Sequence, residues 1–124
     1  VEVDRESLFR QLRDALRLLA ADGDTALAGV PDGCCKPDEL ALDFHYAREA
    51  VVGNFAADLP PEAVAALAEV DAAFGPLVGD GWSEDAVRSS PEWAAVRGRA
   101  GAALDLLGRL GVADAVPGTF AEPN

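Results

Sequence analysis

KPDELALDFHYAREAVVGNFAADLPP, residues 36–61, decides the fold. Pro37 suits the first turn of a helix, Asp38 and Glu39 favour its positive dipole end, and Leu59-Pro60-Pro61 imposes a stop and a restart. Between these signals the spacing predicts one long helix over Pro37–Leu59. At about 100° per residue, Leu40, Phe44, Ala47, Val51 and Phe55 share one sector, which Ala41, Val52 and Leu59 extend. Glu39, Asp43, Tyr46 and Asn54 share the opposite sector, and His45 and Glu49 sit at the edge between the two. The stretch holds the only histidine and the only tyrosine of the chain. Gly53, which costs a helix interior about 1 kcal/mol relative to Ala, reads as the mark of a close helix contact.

Working outward towards the N-terminus, a helix is expected from Arg5 to Ala21, capped by Asp4. Leu8, Leu12, Leu16 and Leu19 form its apolar stripe, widened by Phe9 and Ala15, and Glu6–Arg10 and Arg10–Asp14 are spaced as ion pairs one turn apart. Gly23 fits the position just past its end. Residues 22–36 then read as a loop, longer than bundle connections usually are, and so as a second candidate site. Asp22 and Asp24 superficially suggest a calcium loop, but Gly33 stands where the bidentate Glu is required.

Towards the C-terminus a third helix is expected over Pro61–Phe74, with Val64, Leu67, Val70 and Phe74 inward and Gly75-Pro76 ending it. A turn over LVGDGW leads to Ser83, which caps a short helix, SEDAVR. The last main helix runs from Pro91 to Leu110, N-capped by Ser90, with Ser89 and Glu92 offering an overlapping capping box. Trp93, Val96, Ala100, Leu104, Leu107 and Gly111 follow its period, Gly98 and Gly101 mark a small-residue side, and Gly111 is the expected residue past its end. A flexible tail is expected from about residue 112, with Phe120 as a possible anchor. No apolar/polar alternation persists as a strand would require. The expected fold is a single all-α domain, an antiparallel four-helix bundle with one additional short helix. Its core is expected to include Trp82, Trp93, Phe44, Phe55, Phe74 and the leucines of the first and last helices.

Composition narrows the function classes. Half of the 124 residues are hydrophobic, which excludes a disordered chain despite a net charge of −12. Residues 1–21 and 86–124 each balance their acids with arginines, so the segment 22–85 carries the whole net charge of −12. Phosphate contacts need a basic patch, and none is present, so nucleic-acid binding is not expected. The longest charge-free runs fall well short of the roughly 20 apolar residues of a membrane span. The N-terminal acids Glu2, Asp4 and Glu6 precede no apolar leader segment, so the cytoplasm is the expected compartment. Lys36 is the single lysine among 10 basic residues, Ile and Met are absent, and this bias points to a GC-rich bacterial genome. With no Met, the start is read as trimmed or recoded at Val1.

Three groups of residues carry the functional expectations. Cys34-Cys35 lacks the C-x-x-C spacing of a structural zinc site, so no metal or cofactor is expected, although neighbouring Lys36 is placed to lower a thiol pKa. His45, with Glu49 one turn on and Asp43 and Tyr46 nearby, is the one general base of the usual kind, but no nucleophile is tied to it. Glu39, Asp43, Tyr46 and Glu49 read as a recognition face, because acids and a tyrosine suit an Arg-rich surface. The expected function is therefore a small acidic intracellular interaction domain, immunity- or antitoxin-like, that binds a basic protein. The alternatives are a small-ligand or metal binder or an enzyme using His45, Asp43 and Tyr46 or the Cys34-Cys35 loop, and a structural homodimer built on the Gly98/Gly101 face.

The segments LDFHYAREAVVGNF, LAEVDAAF and WSEDAVRSSPEWAAVRGRAGAALDLLG together resemble a pattern of small all-helical bacterial proteins of uncharacterised function. The resemblance covers roughly Leu40 to Gly108 and implies a helical fold, with no activity attached.

Overall fold

The first helix, rather than the long middle one, is the centre of the molecule. The computed structural model describes residues 4–33 and 35–111. In chain order these form α1 (Arg5–Ala20), α2 (Gly23–Ala28), α3 (Lys36–Phe55), a short 3-10 helix (Ala56–Asp58), α4 (Pro61–Ala72), a second 3-10 helix (Gly79–Trp82), α5 (Glu84–Ser89) and α6 (Pro91–Arg109). All regular structure among the described residues is helical. The main packing contacts join α1 to α3, α1 to α6 and α4 to α6, while α3 and α4 touch only lightly. Phe9, Leu12, Leu16 and Leu19, the buried residues of α1, therefore meet two neighbours at once.

The buried face of α3 is Leu40, Phe44, Ala47 and Val51, as the sector analysis expects, with Pro37 in the first turn. The helix stops earlier than Leu59. Phe55 already leaves the helical region at φ −133 and ψ 32, and the chain tightens into the 3-10 helix. Leu59 is extended, as a residue before proline must be, yet buried. Gly53 is exposed, and a Cβ built there would meet nothing within 4 Å, so it marks no close contact among the described residues. At Gly101 such a Cβ would lie 4.0 Å from Ala20 of α1.

The segment expected to be a loop contains α2. Its N-cap is Asp22, whose carboxylate accepts from Thr25 N (3.1 Å) and Thr25 Oγ1 (2.6 Å). Gly23 is thus not a terminator of α1 but the first residue of the next helix. It is glycine for packing reasons, since a Cβ would lie 2.6 Å from Cα of Arg88 on α5. The caps at Ser83 and Ser90 form as expected, accepting from Ala86 N (3.0 Å) and Trp93 N (3.1 Å). Asp4 makes no side-chain cap bond, and Ser89 donates back to Asp85 O instead of completing a capping box. Gly111 has φ 72 beyond α6, the left-handed conformation expected there. Residues from 112 onward, Phe120 included, lie outside the described residues.

The aromatic core also differs in part. Phe44 and Trp93 are buried, whereas Phe55, Phe74 and Trp82 are half-buried at its rim. Phe74 and Trp82 stack at 6.2 Å, and Trp93 meets Phe74 and Trp82 edge-on at 5.6 Å and 6.0 Å. Both indole N–H groups donate to backbone carbonyls, Trp93 to Gly81 (2.8 Å) and Trp82 to Leu77 (3.0 Å). In α1, neither Glu6–Arg10 nor Arg10–Asp14 comes within ion-pair distance. Arg5 instead reaches Asp58 at 3.2 Å while its guanidinium lies 4.4 Å from the Phe9 ring centroid. The carboxylate comes from across the fold and the aromatic face from one turn on in α1, so the Arg5 cation meets both at once.

Candidate functional site

The polar side of α3 is divided between two neighbours. One part looks towards α4. His45 Nδ1 lies 3.6 Å from Asp71 Oδ1, and Arg48 reaches the other oxygen of the same carboxylate at 3.5 Å. Glu49 pairs with Arg48 at 3.9 Å rather than orienting His45. This arrangement is a clasp across the lightly packed α3/α4 seam, with His45 and Asp71 both partly open to solvent.

The other part looks towards α1. There Asp43 and Tyr46 stand on the lip of a cleft of about 530 Å³, within the range of volumes that binding sites use. Its α3 wall also includes Leu40, Ala47 and Ala50, and its α1 wall is Gln11, Asp14, Ala15 and Leu18. The helical period explains the composition. Each helix turns its edge positions, one step round from the buried stripe, towards the same furrow, so alanines and leucines form its floor and carboxylates its rim. Tyr46 is 64% exposed, an unusual placement for a large aromatic ring. Its ring centroid lies 5.7 Å from that of His45, so the two parts of the face meet there.

Glu39, Asp43, Tyr46 and Glu49, expected as one recognition face, are divided among different surroundings. Asp43 and Tyr46 line the cleft, Glu49 belongs to the Arg48 cluster, and Glu39 is half-buried in the first turn of α3. The α1 wall carries no signal of its own in the sequence. Asp14, spaced to pair with Arg10, lies 3.9 Å from Arg17 instead. Leu18, expected in the core with the other leucines of α1, is instead half-buried in the cleft wall.

Only part of the cysteine segment lies within the described residues. Cys35 is an exposed thiol at the N-cap of α3, and Cys34 lies outside the described residues. Lys36 pairs with Asp32 (3.0 Å) and donates to the Leu27 carbonyl (3.2 Å). Among the described residues no group of three or more His, Cys, Asp or Glu side chains is placed to hold a metal ion. No helix of the described residues is long and apolar enough to cross a membrane.

Among the described residues two titrating groups depart from their ordinary values, both on the α2/α5 side. The Thr25 hydroxyl, then the Thr25 N–H, hold the Asp22 carboxyl below its usual range. The hydrogen bond from Arg88 to Asp24 (2.7 Å) raises the Arg88 guanidinium, with Asp85 and Glu84 adding to it. Comparison of the chain with protein-family models, with curated proteins and with solved structures finds no match.

Proposed function

We propose that this protein is a small acidic interaction domain that binds a basic protein partner, as an immunity or antitoxin protein does when it covers a basic toxin. The observation that carries the reading is the α1/α3 cleft, with an apolar floor, Asp14 and Asp43 on opposite walls and an exposed Tyr46 at the lip. Apolar floors supply affinity, carboxylates select cationic partners, and exposed tyrosines anchor interfaces. The net charge of −12 extends the same preference beyond the cleft by steering basic proteins towards it.

We also read the four long helices α1, α3, α4 and α6 as an antiparallel four-helix bundle, with α2 and α5 as shorter additions. The packing sequence α3–α1–α6–α4 supports it, and the His45/Arg48–Asp71 clasp bridges the remaining seam. On this reading His45 contributes to helix docking rather than to proton transfer.

The test is capture from bacterial lysate on the immobilised chain, beside a Tyr46→Ala/Asp43→Asn double variant. A basic protein should be retained at low salt, released as ionic strength rises, and lost by the double variant. A lysate that yields no basic protein at low salt, or one held equally by both forms, overturns the proposal.

A further inference from the structure

We propose that the cleft between α1 and α3 seats a helix of the partner, a basic amphipathic segment of about ten residues lying along the two walls. This rests on the interaction reading above and adds the form of what binds. The first support is the spacing of the wall. On α3 the lining positions Leu40, Asp43, Ala47 and Ala50 recur at helical intervals, and Asp14 and Leu18 do so on α1. The cleft is therefore a furrow parallel to the helices. From Leu40 to Ala50 it runs along about 15 Å of helix axis, the length of about ten helical residues. A furrow between two helices is filled by a third one presenting apolar anchors at i, i+3 or i+4, and i+7. The alanines of the floor let its backbone approach closely.

Charge decides which helix fits. Carboxylates stand on both walls. Asp14 has a loose ion pair with Arg17 at 3.9 Å, and none of the ion pairs formed among the described residues engages Asp43. Cations on either side of the apolar anchors complete both. A second copy of this chain is a poor occupant, because two molecules of charge −12 repel each other. Tyr46 at the lip is placed to cover the docked helix or to meet a guanidinium with its ring face.

Fluorescence anisotropy with the full chain and three synthetic probes tests this. One probe is a peptide of about fourteen residues, long enough for marginal helicity, with leucines at the anchor spacing and lysines alongside. The second has the same composition permuted so that no helical stripe remains, and the third is polylysine. The striped peptide is expected to bind with a gain of helical circular dichroism, and about tenfold or more tighter than the other two. Tyr46→Ala should weaken it about tenfold. Asp43→Asn and Asp14→Asn should each weaken it roughly two- to fivefold, and Asp85→Asn, an exposed acid on α5, should leave it unchanged. Equal binding of all three probes, with the Asp43→Asn loss retained, overturns the helix inference and leaves the basic-partner reading standing. Preference for the striped peptide that survives Tyr46→Ala and Asp43→Asn overturns the placement in the cleft. If no probe binds at low salt, both readings fall.

Discussion

Two regions of this molecule handle side chains in opposite ways. Where α2, α5, the second 3-10 helix and the start of α6 meet, the polar groups that define the corner are engaged. The Trp82 and Trp93 indoles donate to carbonyls, Asp22 caps α2, Ser83 caps α5, and Arg88 ties Asp24 to Asp85. Gly23 brings two backbones together there. Along the α1/α3 cleft the reverse holds. A tyrosine stands exposed, Asp43 is left outside the internal ion pairs, and alanines leave space above the core. A corner whose donors and acceptors are satisfied internally has little left to offer a ligand. A cleft with open apolar floor and open charge has stability to gain by being covered.

The largest effect should come from breaking the closed corner. Trp93 is 2% exposed, so Trp93→Ala should cost about 3–5 kcal/mol in chemical denaturation, because it opens a cavity and orphans the Gly81 carbonyl. An unchanged midpoint would show that the corner is not the anchor described. Next is Gly23→Ala, where the added methyl meets Arg88 Cα at 2.6 Å and Val87 O at 2.9 Å. Backbone must move, and a loss of about 1–3 kcal/mol is expected by thermal unfolding. A stabilised variant would mean that α2 and α5 do not dock this closely.

A smaller effect concerns pH. Because the Asp22 pKa is lowered on folding, its contribution is present above the ordinary carboxylate range and is lost as pH falls through the lowered value. The melting temperature of Asp22→Asn should therefore lie below that of the parent at neutral pH, and the gap should narrow as the solution is acidified through that range. A gap that widens on acidification contradicts the assigned cap. The smallest stability effect belongs to the open cleft. Tyr46→Ala should change stability by no more than about 0.5 kcal/mol, as for surface sites, while reducing binding of the striped peptide. A large loss of stability would make Tyr46 part of the core and remove the contrast between the two regions.

Much of the helical content was legible because it rests on local signals. Pro37, Pro61 and Pro91 at helix starts, and Ser83 and Ser90 as caps, act within a turn of chain. Local signals misled where two uses compete. Asp22 can start a helix or sit in a loop, and its neighbour Gly23 resembles a terminator until α5 is seen against it. The aromatic residues illustrate the limit of composition. Phe55 and Trp82 are large and apolar, yet both are only half-buried at the rim, because burial depends on where the neighbouring helices end. Half of the cleft was legible, since the α3 period places Asp43 and Tyr46 together in the polar sector. The α1 half was not, because nothing in Gln11, Asp14 or Leu18 states which helix will lie beside them.

The sequence by itself determined the helical class, the apolar stripes of α1 and α3, the caps of α5 and α6, and the concentration of acid in the middle of the chain. These follow from periodicity, capping chemistry and charge counting, all of which act over a few residues or over none. Only the tertiary structure decided that α1 is the central helix, that His45 turns to Asp71, and that Asp14 and Asp43 line one furrow. Those outcomes depend on which amphipathic faces bury each other. That choice is made by the summed packing of whole helices, so no single stretch of the chain contains it.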